Sequence, residues 1–136
     1  MRIPCIAVLA LLLAAATAAP ARGVEPPGRF TAADTPDDDG TSITLEWQLS
    51  PSDTGTALAG YAVYRSIGGR DSFQQISLVP RGNALYHDTE VDTKINYFYK
   101  IAAVDKDGQQ SAPAESGPVR TQEQRFKVGK INALIG

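Results

Sequence analysis

Carboxylates gather in two places where they could hold a hard cation. Asp34, Asp37, Asp38 and Asp39 put four carboxylates within six residues before Gly40, and Asp105-Lys106-Asp107-Gly108 has the same look on a smaller scale. A calcium loop spaces its oxygen ligands at alternate positions and closes with a later bidentate Glu. That spacing is missing, and adjacent Asp37-Asp38-Asp39 cannot all face one centre. Both runs read as solvated turns, in which Asp bonds its own backbone and Gly takes positive φ. His87 beside Asp88 suggests a proton relay. It is the only His in the chain, no nucleophile turn accompanies it, and it reads as a surface residue. One His and one Cys, Cys5, cannot build an ordinary zinc site. No Gly-rich phosphate loop opens a helix. No catalytic residue, metal or cofactor is therefore expected.

The chemistry that remains is contact. Tyr64 and Phe98 are expected to point outward from neighbouring strands, beside Ala62, Lys100 and Ala102, with the loops Ser50–Gly60 and Asp105–Ala112 sharing in contact. An exposed aromatic pair on a low-charge sheet face is a contact patch for a protein or glycan partner. It is equally a cross-strand pair that stiffens the sheet by about 0.2–1 kcal/mol. Arg70-Asp71-Ser72 and Arg81-Gly82-Asn83 each hold part of an Arg-Gly-Asp adhesion tripeptide, and neither is one. Net charge is −2, from 13 basic and 15 acidic side chains. A basic face is what a nucleic-acid partner needs, so that partner class is set aside.

Strands must position these residues. Asn96 to Val104 alternates, with Tyr97, Tyr99, Ile101 and Ala103 on one face and Phe98, Lys100 and Ala102 on the other, the period of a strand. Thr41 to Leu49 alternates too: Ile43, Leu45, Trp47 and Leu49 inward, Thr44, Glu46 and Gln48 outward. Tyr61 to Arg65 places Tyr61 and Val63 inward. Shorter strands are expected at Arg29–Ala33, Phe73–Val79, Ala84–Asp88 and Pro118–Gln122, with a corner at Val91–Ile95. The chain's 12 Gly and 9 Pro fall between these runs. Seven short strands with turns between them predict an all-β, seven-stranded antiparallel sandwich over residues 29–122. Its core is expected to hold Trp47, Tyr61, Val63, Val91, Tyr97, Tyr99 and Ile101.

This ordered set resembles the fibronectin type III family over about Pro26 to Gln122. Trp47 closes Ile43-Thr44-Leu45-Glu46-Trp47. Gly60-Tyr61-Ala62-Val63-Tyr64-Arg65 is similar to the family's third strand. Val91 lies six residues before Tyr97, the spacing of its corner motif, in which the Tyr hydroxyl bonds backbone upstream. Tyr97 to Asp105, followed by Gly108 and Ser111, is similar to its sixth strand and following loop. The corner departs from the pattern, with Thr93-Lys94 for the usual Pro-Gly and Ile95 for the usual Thr. The resemblance implies an immunoglobulin-like module that binds or spaces rather than catalyses.

The two ends carry the address. Residues 1–21 read as a signal peptide: Arg2, an apolar run from Ile3 to Leu13, and small residues at Ala16-Thr17-Ala18. Residues 22–28 read as a linker. Residues 123–136 form a basic and then apolar tail ending Ile131-Asn132-Ala133-Leu134-Ile135-Gly136, similar to the entry of a membrane span and too short to cross. The expectation is an exported, non-catalytic interaction or adhesion module at the cell surface or in the periplasm, its tail being either the start of a truncated membrane anchor or a short amphipathic or flexible end. The alternatives are a structural spacer of a membrane-anchored protein and an accessory domain of a larger exported enzyme.

Overall fold

The computed structural model describes residues 23–123. The segment read as a signal peptide and, Glu123 apart, the basic–apolar tail lie outside the described residues. Seven antiparallel strands follow one another: β1 (Gly28–Asp34), β2 (Ile43–Gln48), β3 (Leu58–Ile67), β4 (Gln74–Pro80), β5 (Leu85–Asp88), β6 (Tyr97–Asp105) and β7 (Ala114–Val119). They form one sheet in the order β1-β2-β5 and a second in the order β4-β3-β6-β7. Alternation is the cause. Each central strand is apolar on one face, and the two apolar faces are removed from water by packing on each other.

The interior holds Ile43, Leu45 and Trp47 from β2, Leu58, Tyr61 and Val63 from β3, and Tyr97, Tyr99, Ile101 and Ala103 from β6. Val91 joins them from the corner, and all seven expected core residues are buried. Trp47 sits between Phe30, edge-on at 6.4 Å, and Tyr61, tilted at 5.6 Å. Offset aromatic packing of this kind adds about 0.5–1.5 kcal/mol beyond area burial. At the corner, the Asp92 amide donates to the Tyr97 hydroxyl at 2.8 Å. Lys94 takes φ +70° there, the left-handed conformation that Gly adopts without strain. Gly60 answers a different demand: a Cβ on it would lie 2.2 Å from the Val79 carbonyl, so no larger residue fits where β3 meets β4.

Four sequence expectations are corrected. Leu49 does not face the core. It is 41 % exposed, because β2 ends at Gln48 and the next amide, Ser50 N–H, donates to the Tyr61 hydroxyl as the chain turns away. The last strand is Ala114–Val119, not Pro118–Gln122. It lies at a sheet edge, where a Pro is tolerated within a strand. The third strand begins at Leu58, three residues before Tyr61. Ala62 and Ala102 lie on the outer face yet are 1 % exposed, since they oppose each other across β3 and β6 and larger side chains flank them. Residues 23–28 also contact the sandwich: Glu25 N–H donates to Ser52 Oγ, Ser50 Oγ donates to the Glu25 carbonyl, and Pro27 is buried.

Trp47→Ala should lower unfolding free energy by about 3–5 kcal/mol, most of a small domain's margin of about 5–15. A urea midpoint like the parent's would remove Trp47 from the core. Lys94→Gly trades left-handed strain for a looser unfolded chain and should raise stability by up to about 1 kcal/mol. A clear loss in the same titration would contradict the corner geometry.

Candidate functional site

The outer face of the four-stranded sheet carries the expected contact residues, though not as one patch. Register pairs Tyr64 with Lys100 and Ser66 with Phe98. Tyr64 and Phe98 are therefore diagonal rather than opposite. The Phe98 ring is covered by the Arg70 guanidinium, 5.1 Å from its centroid. Tyr64 and Lys100 instead share a groove of about 260 Å³ with Phe73, Ala102, Gln110, Ser111 and Pro113. The Lys100 ammonium lies 4.3 Å from the centroid of Phe73, a contact worth about 0.5–1 kcal/mol at an exposed site.

Each wall has a local cause. Tyr64 follows Val63 on β3 and so alternates outward. Phe73 immediately precedes β4. Gln110 and Pro113 belong to the loop after β6, which is stitched back onto that strand. Ser111 N–H donates to the Ala103 carbonyl at 2.8 Å, and Ala103 N–H donates to Ser111 Oγ at 2.9 Å. This fixes Gln110, whose side-chain amide meets the Tyr64 hydroxyl in both directions. Tyr64 Oη–Gln110 Oε1 is 3.0 Å and Gln110 Nε2–Tyr64 Oη is 2.7 Å. Gln110 and Ser111 fall within the loop Asp105–Ala112 expected to share in contact. Phe73 and Pro113 were not legible as site residues, since strand periodicity says nothing about which loop folds over which face.

The remaining polar groups hold the fold. Asp88 is 1 % exposed and accepts from the Arg65 guanidinium at 2.8 Å to each carboxylate oxygen, from the Tyr99 hydroxyl at 2.8 Å and from the Glu90 amide at 3.2 Å. Burial, then the hydrogen bond to Asp88, raises the Tyr99 hydroxyl far above its ordinary range. Tyr61 donates to Asp53 at 2.8 Å and accepts from Ser50. Burial and the bond to Asp53 push it up to about 12. His87 is exposed and meets Thr44 Oγ1 at 3.1 Å.

The two acidic turns are self-capped and stand at opposite ends of the sandwich. Asp105 Oδ1 accepts from the Asp107 and Gln109 amides, both at 2.9 Å. In the other turn, Asp38 accepts from Gly40 N–H at 3.0 Å and Ser42 Oγ at 2.6 Å. Slight desolvation pushes Asp38 up, but hydrogen bonds from Ser42, Gly40 and Thr41 outweigh it and hold the carboxyl below 3.8. Its support is present above that pH and lost below. Among the described residues, no group of three or more His, Cys, Asp or Glu side chains is placed to hold a metal ion.

Seven strands in sheets of three and four, with a tyrosine corner, define an immunoglobulin-like β-sandwich. More particularly, the chain has the fibronectin type III fold. It superposes on an Fn3-like protein from Clostridium thermocellum with a TM-score of 0.58 and 23 % identity, covering 76 % of this chain and 98 % of that one. A β-1,2-glucanase from Parabacteroides distasonis contains the same fold, at TM-score 0.53 and 19 % identity over 77 % of this chain and 13 % of that one. In sequence, 63 residues are 38 % identical to an amylopullulanase from Thermoanaerobacter thermohydrosulfuricus. That match spans 46 % of this chain and 4 % of the relative's length. No family model matches the chain.

The buried phenols give a pH dependence with a definite sign. Tyr61 and Tyr99 hold their protons more tightly folded than unfolded, so their stabilisation is complete below pH 10 and is lost as pH rises through about 12. The melting temperature should fall over that window. In an absorbance titration at ~295 nm, Tyr61 and Tyr99 should ionise only as the protein unfolds. Their ionisation near 10 with the fold intact would contradict these two hydrogen-bonded sites.

Proposed function

We propose that this chain is a non-catalytic accessory module of polysaccharide-processing machinery, exported by its N-terminal segment and acting outside the cytoplasm. The observation that carries this reading is the 63-residue stretch shared at 38 % identity with an amylopullulanase. The fold's occurrence in a β-1,2-glucanase of much greater length supports it. The side chains support it as well. Asp88, Asp53 and His87, three side chains with acid–base chemistry, are engaged by Arg65 and Tyr99, by Tyr61, and by Thr44. The module contributes by contact: it keeps enzyme and polymer together, and its face rather than its turns meets the polymer.

Native-gel migration through pullulan or soluble starch tests this directly. The purified module should be retarded relative to a gel without polymer, and no new reducing ends should appear on prolonged incubation. Unretarded migration in every polysaccharide tried, or release of reducing ends, would overturn the proposal.

A further inference from the structure

The groove bounded by Tyr64, Phe73 and Pro113 has a chemistry specific enough to name its occupant. We propose that it is a subsite for a chain of neutral hexoses, an inference that rests on the accessory reading above. Two flat apolar surfaces line it, the Tyr64 ring and the Pro113 ring, while the Phe73 ring beside them carries the Lys100 ammonium on one face. A hexose ring carries an apolar C–H face and a rim of hydroxyls, so it can stack on such surfaces while its rim stays hydrogen-bonded. The groove contains Ala102, which ends in a methyl group and leaves space for a ring to approach.

The polar groups suit hydroxyls. Tyr64 and Gln110 satisfy each other in an exposed pair at 2.7 and 3.0 Å. Each can exchange that bond for a sugar hydroxyl without leaving a buried group unpaired. The Gln110 amide offers both a donor and an acceptor, the combination that adjacent hydroxyls require.

Charge selects among ligands. The lining holds one cation, Lys100, and no carboxylate. The Lys100 ammonium rests on the Phe73 ring, and Glu115 stands opposite Lys100 on β7, so the local charge is close to balance. A neutral polyhydroxylated chain accepts a hydrogen bond from that ammonium and needs no counter-charge. A polyuronate would bring a negative charge at every repeat to meet a single cation that already faces Glu115. A groove of about 260 Å³ takes a short stretch of chain, so affinity is low per site and is felt mainly with polymers.

The test compares the parent with Tyr64→Ala, Phe73→Ala and Gln110→Ala. Leu85→Ala serves as control, being 48 % exposed on the opposite sheet. Each variant is melted first, and Phe73→Leu keeps the experiment informative if Phe73→Ala is unstable. Dissociation constants are read from gel retardation in graded pullulan, soluble starch, β-1,2-glucan and polygalacturonate. The expected result is retardation by a neutral glucan, weakened about 10-fold or more by Tyr64→Ala and Phe73→Ala, with the control unchanged. A neutral glucan held equally well by parent and groove variants would overturn the subsite and leave the accessory reading standing. Tighter binding of polygalacturonate would overturn the neutral class. Binding to no polysaccharide would remove both readings together.

Discussion

One buried carboxylate ties the two sheets together. Asp88 closes β5 in the three-stranded sheet, and its partners Arg65 and Tyr99 come from β3 and β6 in the other. The described residues contain no cysteine, so this polar clamp does the joining that a disulfide does in many exported sandwiches. Its value lies in what would follow from breaking it. An Asp88 left without Arg65 is an uncompensated charge in a dry interior, a loss of about 3–5 kcal/mol. Geometry around Asp88 is therefore held tightly. With it are held the start of the corner, through the Glu90 amide, and the pairing of Asp88 with Ile43 at the far end of β2.

A second polar tie works at the opposite end. Asp53 accepts from the Tyr61 hydroxyl and from the Gly82 amide, joining the loop after β2 to the turn after β4. Between these ties lies the aromatic interior of Phe30, Trp47 and Tyr61. The apolar layer supplies most of the driving force, and the two carboxylates decide how one sheet lies upon the other.

The strands and the core were legible because alternation of period two is a property of the residues themselves. Tyr97, Tyr99, Ile101 and Trp47 announce an inner face without knowledge of what they pack on. The corner was legible from the spacing of Val91 and Tyr97, even with Lys94 at a position of positive φ. The Asp88 clamp left a signal that was easy to pass over. Asp88 is in phase with Tyr86 and Ala84, on the inner side of β5, whereas His87 is out of phase and exposed. The groove was half visible. Tyr64 and Lys100 followed from strand phase and Gln110 from the loop after β6, but Phe73 and Pro113 arrive from segments whose paths depend on tertiary contacts such as those of Ser111. Phe98 shows the limit of phase: it faces outward as expected, yet its ring is occupied by Arg70.

The alternation of β6 has a consequence for how such a protein can change over generations. Odd-numbered positions from Tyr97 to Ala103 are committed to the interior, while Phe98 and Lys100, on the opposite face, owe the core little. Random substitution therefore meets two regimes along a single strand. One regime purges almost every replacement. The other permits drift in the exposed surface while the scaffold is inherited intact, so that a lineage can change that surface one residue at a time without crossing a valley of unfolded intermediates.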